Sequence, residues 1–332
     1  MIDRDDEKML DYLWDPALPE DPDVRAIEES LRPLRFDPAA HPLELNPHST
    51  RRQVRTTWKL AAAAAILIST GVGFSQWRFT WPSGRAWSVS GESAVQSRLQ
   101  VGGTLEVPAS RQAMVDVARI GTMRVEGGTR ITLRSTQGTR HRLRMETGQV
   151  HVRVWAPPAS VAFQTPTGNV IDMGCEFDLQ VEADVSRLRV RSGWVQLENS
   201  LGESLIPAGA SGEMRRELVP GVPVFDSAGP SFLAAVRQLE RTGDSGSLRS
   251  VLDSARTEDV LSLLTLIARS TAGSDQLAAR AAQLWPPPSG VTAGQVARGD
   301  REALWRWKDS LPLPPTKGWL RNWKDALPRW GR

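Results

Sequence analysis

A charge-free run from Leu60 to Trp77 is the feature that most constrains how this chain can fold. At helical rise its 18 residues extend about 27 Å, close to the roughly 30 Å hydrocarbon core of a bilayer. A basic cluster from Arg51 to Lys59 precedes the run, and Trp58 and Trp77 bracket it, which suits the positive-inside rule and the interfacial aromatic belts. The run therefore predicts one transmembrane helix over residues 58–77, with residues 1–57 in the cytoplasm and the longer part of the chain outside.

Two other interpretations of the run are open. Its many Ala, Ser, Thr and Gly residues make it only mildly apolar, so a buried helix of a soluble protein would give a similar pattern. A cleaved signal peptide fits less well, because its apolar region lies within about the first 15–30 residues of a chain. The membrane helix is the interpretation that the flanking residues favour.

The segment before the run is acidic and carries two short amphipathic patterns. One apolar face begins at Met9 and Leu10; in the second, Asp21 is placed as N-cap and Pro22 at the first helical position, and Pro33 predicts an end near Arg32. Two such short helices cannot bury enough surface to fold firmly alone. Residues 1–57 are therefore predicted either to fold onto a partner or to be an idle tail. The apolar side chains predicted to contact a partner are Leu10, Leu13, Trp14, Val24, Ile27, Leu31 and Leu34.

From about residue 85 to residue 216 the apolar period is two. Val150, Val152 and Val154 alternate with polar residues, and glycines such as Gly138 and Gly148 punctuate the runs as turn signals. Many short strands at this spacing predict one all-β domain over residues 85–216, a sandwich or roll of many short antiparallel strands.

After Gly229 the period becomes helical, and residues 229–332 are predicted to be an α-helical, Trp-rich extension. Thr257 is predicted as a helix cap, and Thr292 with Gln295 as a capping box. The tail holds a repeat, with Trp307-Lys-Asp-Ser-Leu-Pro recurring as Trp323-Lys-Asp-Ala-Leu-Pro. These tryptophans either pack against the helices or form a partner-binding surface.

Motifs for catalysis, cofactors or metals are not found in the sequence. There is no G-x-S-x-G elbow and no phosphate-binding loop, and four histidines with one cysteine do not supply zinc-ligand spacing. Cys175 is predicted to be a buried structural thiol in a strand. The sequence contains no basic run interleaved with aromatic residues, which is the pattern that would favour nucleic-acid binding. We therefore expect a protein that is not an enzyme, with no catalytic, cofactor-binding or metal-binding residues and no nucleic-acid partner.

The region from about Trp87 to Met214 resembles the FecR domain, the extracytoplasmic β module of FecR-like anti-sigma regulators. The matching stretches, in order, are Leu99-Gln-Val-Gly-Gly-Thr-Leu, Val125-Glu-Gly-Gly-Thr-Arg-Ile-Thr-Leu, Leu143-Arg-Met-Glu-Thr-Gly-Gln-Val-His-Val, Phe163-Gln-Thr-Pro-Thr-Gly-Asn-Val, Met173-Gly-Cys-Glu-Phe-Asp-Leu, Val190-Arg-Ser-Gly-Trp-Val-Gln-Leu and Ile206-Pro-Ala-Gly-Ala. Cys175 departs from the family, which commonly has Thr at this place. Residues 1–57 lack the His/Cys zinc motif of many anti-sigma factors, so sigma binding is implied by the domain architecture alone.

The resemblance implies a single-pass regulatory protein of the bacterial inner membrane. Its periplasmic β domain would sense or dock an unidentified periplasmic protein or envelope ligand, and its cytoplasmic segment would control a sigma factor. The alternative is a membrane-tethered envelope protein that recognises a protein or a glycan and has no sigma-factor role.

Overall fold

The computed structural model describes residues 22–32, 69–71, 73–74, 76–91, 97–269 and 273–313, with side chains from residue 25 onward in the first range. The chain divides into two compact units, residues 1–69 and 70–332. In the first unit a helix, α1, spans Pro22–Leu31. It begins at the predicted proline, whose fixed backbone suits the first helical turn, and ends beside Arg32 as predicted.

Residues 69–71, 73–74 and 76–79 are also helical. Within the described ranges, no helix combines the length and the apolar character that crossing a membrane requires. Most of the predicted span over 58–77 falls outside those ranges, so the transmembrane helix stays a prediction.

A large mixed β-sheet and C-terminal helices make up the rest of the described chain. The strands are β1 Trp87–Ser90, β2 Arg98–Leu99, β3 Thr104–Glu106, β4 Ala113–Val117, β5 Gly121–Val125, β6 Arg130–Gln137, β7 Arg140–Val154, β8 Val161–Thr165, β9 Gly168–Asp172, β10 Glu176–Val181, β11 Val185–Ser192, β12 Trp194–Asn199, β13 Gly202–Pro207, β14 Ala210–Arg215 and β15 Val224–Phe225.

Strand β7 joins the two halves of this sheet. Its first part pairs with β6 and β8, and its second part pairs with β5 and β10. One half then runs β3-β6-β7-β8-β9-β12-β13, and the other runs β1-β4-β5-β7-β10-β11-β14-β15. All pairs are antiparallel except β7 with β8. The predicted set of short antiparallel strands is wrong on two points, because β7 has 15 residues and β8 runs parallel to it.

Gly148 lies at the point where β7 passes from one half to the other, in the middle of the strand. The sequence predicts a turn there, and the prediction is wrong. The residue has a φ of +105°, and a Cβ atom on it would lie 2.3 Å from the Cα atom of Thr129. A glycine is needed because the strand must kink while passing close to a neighbouring backbone.

Inward side chains of both halves form a single apolar core. The alternation predicted for β7 is confirmed, since Val150, Val152 and Val154 are buried. The rings of Phe163 on β8 and Phe177 on β10 meet edge to face with centroids 6.0 Å apart. This contact links strands from the two halves of the sheet within the shared core.

The C-terminal helices are α2 Pro230–Thr242, α3 Ser245–Ser254, α4 Val260–Ile267, α5 Ser274–Leu284, α6 Ala293–Ala297 and α7 Arg301–Asp309, with a 3₁₀ turn at Thr257–Asp259. They bury a second core that also contains Val222 and Val224 from the connection to the sheet. The capping box of Thr292 and Gln295 is confirmed. Thr257 is not a cap, because the Asp259 carboxylate accepts the Arg256 N–H at 3.0 Å and places the helix start one residue earlier.

The tryptophan repeat is described in its first copy only. Trp307 is fully buried in the second core, and its Nε1–H donates to the Trp285 carbonyl at 3.2 Å. Trp305 is 70 % exposed. The packing interpretation is therefore confirmed for Trp307, while Trp323 lies outside the described residues.

Candidate functional site

The predicted partner-binding residues are described only in part. Ile27 is 57 % exposed and Leu31 is 52 % exposed on α1. Because they are four residues apart, their side chains share one face of the helix. The structure thus leaves this apolar stripe on the surface. Val24 lies in α1 without a described side chain, and Leu10, Leu13, Trp14 and Leu34 lie outside the described residues.

A second surface, which the sequence analysis missed, is the outer face of β7, β10 and β11. His151 on β7 is its central residue, since both ring nitrogens face carboxylates on β10. Nδ1 lies 2.8 Å from Asp178 Oδ1, and Nε2 lies 3.3 Å from Glu176 Oε1. A neutral imidazole has one N–H, so only the protonated ring can donate to both carboxylates.

Arginines flank this histidine and its two acids. The Arg191 Nε–H donates to Asp178 Oδ2 at 2.7 Å, and Arg153 lies 3.6 Å from Glu176. Burial raises the pKa of Asp178, but the hydrogen bonds and charges of His151 and Arg191 outweigh it and hold the pKa below its ordinary value. The carboxylate therefore stays ionised between two donors.

The same face continues into a cleft beside α2, with a volume of about 210 Å³. Glu213 on β14 is its main acid and lies within 4.0 Å of Arg187, Arg215 and Arg237. Its apolar wall comes from Val222, Val224, Leu233 and Val236. The cleft thus offers an apolar wall and a charged rim, an arrangement suited to a short extended segment or a small polar ligand.

An ion pair closes the inner side of this cleft. Glu240 on α2 accepts the Val222 N–H at 2.6 Å and lies 3.2 Å from Arg269 Nη1. Burial raises the pKa of Glu240 and lowers that of Arg269, which partly offsets the gain from their pairing. The pair fixes the register between the helices and the loop that carries Val222.

Two buried polar clusters lie away from the surface. The Thr136 hydroxyl lies 2.7 Å from His141 Nδ1 and accepts the Trp87 indole N–H at 3.1 Å. In the other cluster, Asp172 Oδ1 accepts the Cys175 N–H at 2.9 Å and contacts its thiol at 2.5 Å. Cys175 is fully buried, as predicted, although it lies between the bend at residues 173–174 and the start of β10 and not within a strand.

In the part of the chain that the structure describes, no three His, Cys, Asp or Glu side chains come together in a way that could hold a metal ion. The surfaces above act through ion pairs, hydrogen bonds and apolar contact. Sequence reasoning found the alternation that puts a half-buried His151 on the outer side of β7 and an exposed Arg191 on the outer side of β11. It could not find their partners, because cross-strand register brings together residues far apart in the chain.

Comparison with known proteins adds little to this geometry. No family model matches the sequence, and no curated protein matches it. Two crystal structures of a protein from Parabacteroides distasonis ATCC 8503, provisionally named an anti-sigma factor, are similar to the fold with a TM-score of 0.32 and 15 % identity. The alignment covers 41 % of this chain and 64 % of that one, so the chain spans less than two thirds of its neighbour. A TM-score below 0.5 does not establish a shared fold, and the FecR resemblance stays a prediction.

Proposed function

We propose that this protein is a single-pass regulator of the bacterial inner membrane, of FecR type, in which the β domain docks an envelope partner and the N-terminal segment controls a sigma factor. Its N-terminus lies in the cytoplasm, its β domain and helices lie in the periplasm, and it carries out no enzymatic reaction. The charge-free run after the basic cluster supports the topology.

The observation that carries the regulatory proposal is the exposed apolar stripe of α1. Ile27 and Leu31 project from a helix that also carries Glu28 and Glu29. A ten-residue helix gains too little from its own hydrogen bonds to be stable in water, so an apolar stripe on it is best used against a partner. An acidic amphipathic helix fits a groove with apolar walls and a basic rim.

The direct test is capture of the sigma factors of the same bacterium, each purified and tested separately, by the full chain in detergent. Ile27→Asp puts a charge into the stripe, and we expect it to abolish capture. Arg25→Gln is the matched control. It lowers the net charge by the same amount as Ile27→Asp, but at a position about 200° around the helix from Ile27. Undiminished capture by Ile27→Asp would refute this contact face.

Deletion of residues 1–45 separates this function from that of a tethered envelope-binding protein. The regulator requires that the deletion deregulate transcription of the sigma factor's target genes. The alternative function, which would use the charged sheet face and its cleft, requires that transcription stay unchanged.

The topology has a test of its own, with reporters fused after residue 50 and after residue 90. Activity of a cytoplasmic reporter at the first site and of a periplasmic reporter at the second is expected. The same compartment for both would exclude a single membrane crossing between them.

A further inference from the structure

The chain enters the β domain beside the β6–β7 hairpin. The Gly138 N–H donates to the Trp81 carbonyl at 2.9 Å, and the Trp81 N–H returns a bond to Gly138 at 3.3 Å. The Gly84 N–H donates to the Thr136 carbonyl at 3.2 Å. These backbone bonds fasten the segment that follows the helical residues 76–79 to the tip of the hairpin.

Arg119 fastens the end of those helical residues as well. Its guanidinium lies 4.1 Å from the centre of the Trp77 ring and 5.4 Å from that of Trp81, and its Nη1–H donates to the Trp77 carbonyl at 2.6 Å. Even so, Trp77 is 55 % exposed and Phe74 is 48 % exposed, with ring centroids 6.0 Å apart. Two aromatic rings therefore project where the helical segment meets the domain.

Four segments at this end of the domain contain no acidic residue. They are residues 77–91, 118–121, 134–145 and 155–164, and they are linked by the Trp81 pairing and by backbone bonds from Trp155 to Ile120 and from His141 to Ser160. Together they contain seven arginines and no Asp, Glu or Lys. The arginines are Arg78, Arg85, Arg119, Arg134, Arg140, Arg142 and Arg144.

Five of these arginines, which we call the arginine collar, have no carboxylate within 4.0 Å among the described residues. They are Arg85, Arg119, Arg134, Arg140 and Arg142. By contrast, Arg187, Arg189 and Arg191 on β11 each reach a carboxylate. The collar therefore presents positive charge that the described protein does not neutralise.

Local structure explains how the collar is displayed. Arg140 and Arg142 occupy alternate positions of β7, which place them on its outer face. Arg134 lies at a register shift of β6 between Leu133 and Ser135, and a bulge of this kind turns an extra residue outward. Arg134 and Arg140 are both exposed.

We propose that the arginine collar and the Trp77–Phe74 pair seat this end of the β domain on anionic phospholipid head groups. This inference rests on the proposed membrane tether, which would put the collar directly above the bilayer. Phosphate oxygens match guanidinium donors, and exposed aromatic rings beside a basic surface favour the membrane interface. The attraction falls off within a Debye length, about 8 Å at physiological salt, so it acts only on a domain held close to the surface.

The test uses the full chain reconstituted in vesicles of phosphatidylcholine, and in vesicles of an equimolar mixture of phosphatidylcholine and phosphatidylglycerol. A fluorophore is attached through Gln137→Cys at the exposed hairpin tip, which is selective because Cys175 is fully buried. Energy transfer to an acceptor lipid reports how near the tip lies to the bilayer. We expect higher transfer in the anionic vesicles, and loss of that increase at about 1 M salt, where the Debye length is about 3 Å.

The triple variant Arg134→Gln, Arg140→Gln and Arg142→Gln should lose the increase. A control with the same loss of charge on the helices, Arg249→Gln, Arg298→Gln and Arg301→Gln, should keep it. Circular dichroism checks that both variants are folded. Equal transfer in the two kinds of vesicle, or an increase that survives the collar substitutions, would overturn the proposal; equal transfer would leave an acidic protein as the occupant.

Failure of the tether gives a different result. A chain without a membrane span would leave phosphatidylcholine vesicles on an alkaline wash, whatever the collar does. A chain that stays on phosphatidylcholine vesicles after the wash, yet shows equal energy transfer in the two kinds of vesicle, would keep the proposed topology and overturn the head-group inference alone.

Discussion

The buried side chain of His141 should make the folded protein less stable at acidic pH. The side chain is fully buried, bonded to Thr136 through Nδ1 and in edge-on contact with Trp87 at 5.6 Å between ring centroids. Its Nε2 has no hydrogen-bond partner among the described residues. Burial, assisted by the charge of Arg142, lowers the pKa of His141 from 6.5 to about 4. The folded protein therefore holds this ring neutral where the unfolded chain protonates it.

The direction and size of the effect follow from proton linkage. Between the two pKa values the unfolded state binds more protons, so the free energy of unfolding falls as the pH drops from 6.5 towards 4. Complete titration corresponds to about 3 kcal/mol, at about 1.4 kcal/mol for each pH unit between the two values. Between about pH 7.5 and about pH 5, the expected loss from this one residue is about 2 kcal/mol.

Urea unfolding of the full chain in a mild detergent, followed by circular dichroism at several pH values, measures this loss. His141→Asn keeps a polar group and cannot be protonated, so its stability should fall by about 2 kcal/mol less than that of the unchanged protein over the same range. Gln137→Asn, at the exposed hairpin tip, should keep the original pH dependence. If His141→Asn and the unchanged protein lost equal stability on acidification, the buried neutral histidine would be the wrong account.

Three further predictions concern stability and use the same unfolding assay. Gly148→Ala should lower the free energy of unfolding by about 3 kcal/mol or more, because its Cβ would lie 2.3 Å from a backbone atom. Gly138→Ala has open space around it and should lower the free energy by about 1–2 kcal/mol. Equal losses would contradict the close approach at the kink. Trp307→Ala should cost about 3–5 kcal/mol and Trp305→Ala within about 0.5 kcal/mol, and a large loss at the exposed ring would argue against the packing described. Glu240→Ala should lower the free energy of unfolding by about 2 kcal/mol, because it leaves the Val222 N–H and the Arg269 guanidinium without their acceptor. Glu240→Gln keeps an acceptor oxygen and should cost less. A larger loss for Glu240→Gln than for Glu240→Ala would show that the hydrogen bond to Val222 matters little.

Local patterns predicted the elements of this fold well. The alternation of Val150, Val152 and Val154 with polar residues identified the buried face of a strand. Pro22 identified the start of α1. Each signal is set by neighbours in the chain, so the sequence alone contains it. The box of Thr292 and Gln295 is of the same kind, since both partners lie within one helical turn.

What the sequence could not show depends on contacts between distant residues. Gly148 looks like a turn because a glycine between two apolar runs has the same pattern whether the chain reverses or kinks. Only the close approach of Thr129 distinguishes the two cases. The site around His151 was missed for the same reason, because Glu176 and Asp178 reach it by strand pairing. Ile27 and Leu31 were named in advance, yet their exposure needed the structure.

The β domain has two charged surfaces, the outer face of β7, β10 and β11 and the arginine collar. They differ in how many of their charges are already paired, so they suit different kinds of partner. On β10 and β11 the charges are already paired, as with Asp178 and Arg191, so a ligand gains little from long-range attraction and must replace bonds that exist. Specificity there has to come from the shape and hydrogen bonds of the cleft. The arginine collar has no such pairs to break, so it attracts any dense anionic surface and discriminates little among them. If the domain is tethered as we propose, a non-selective contact would fix its orientation and leave the cleft free for a selective partner.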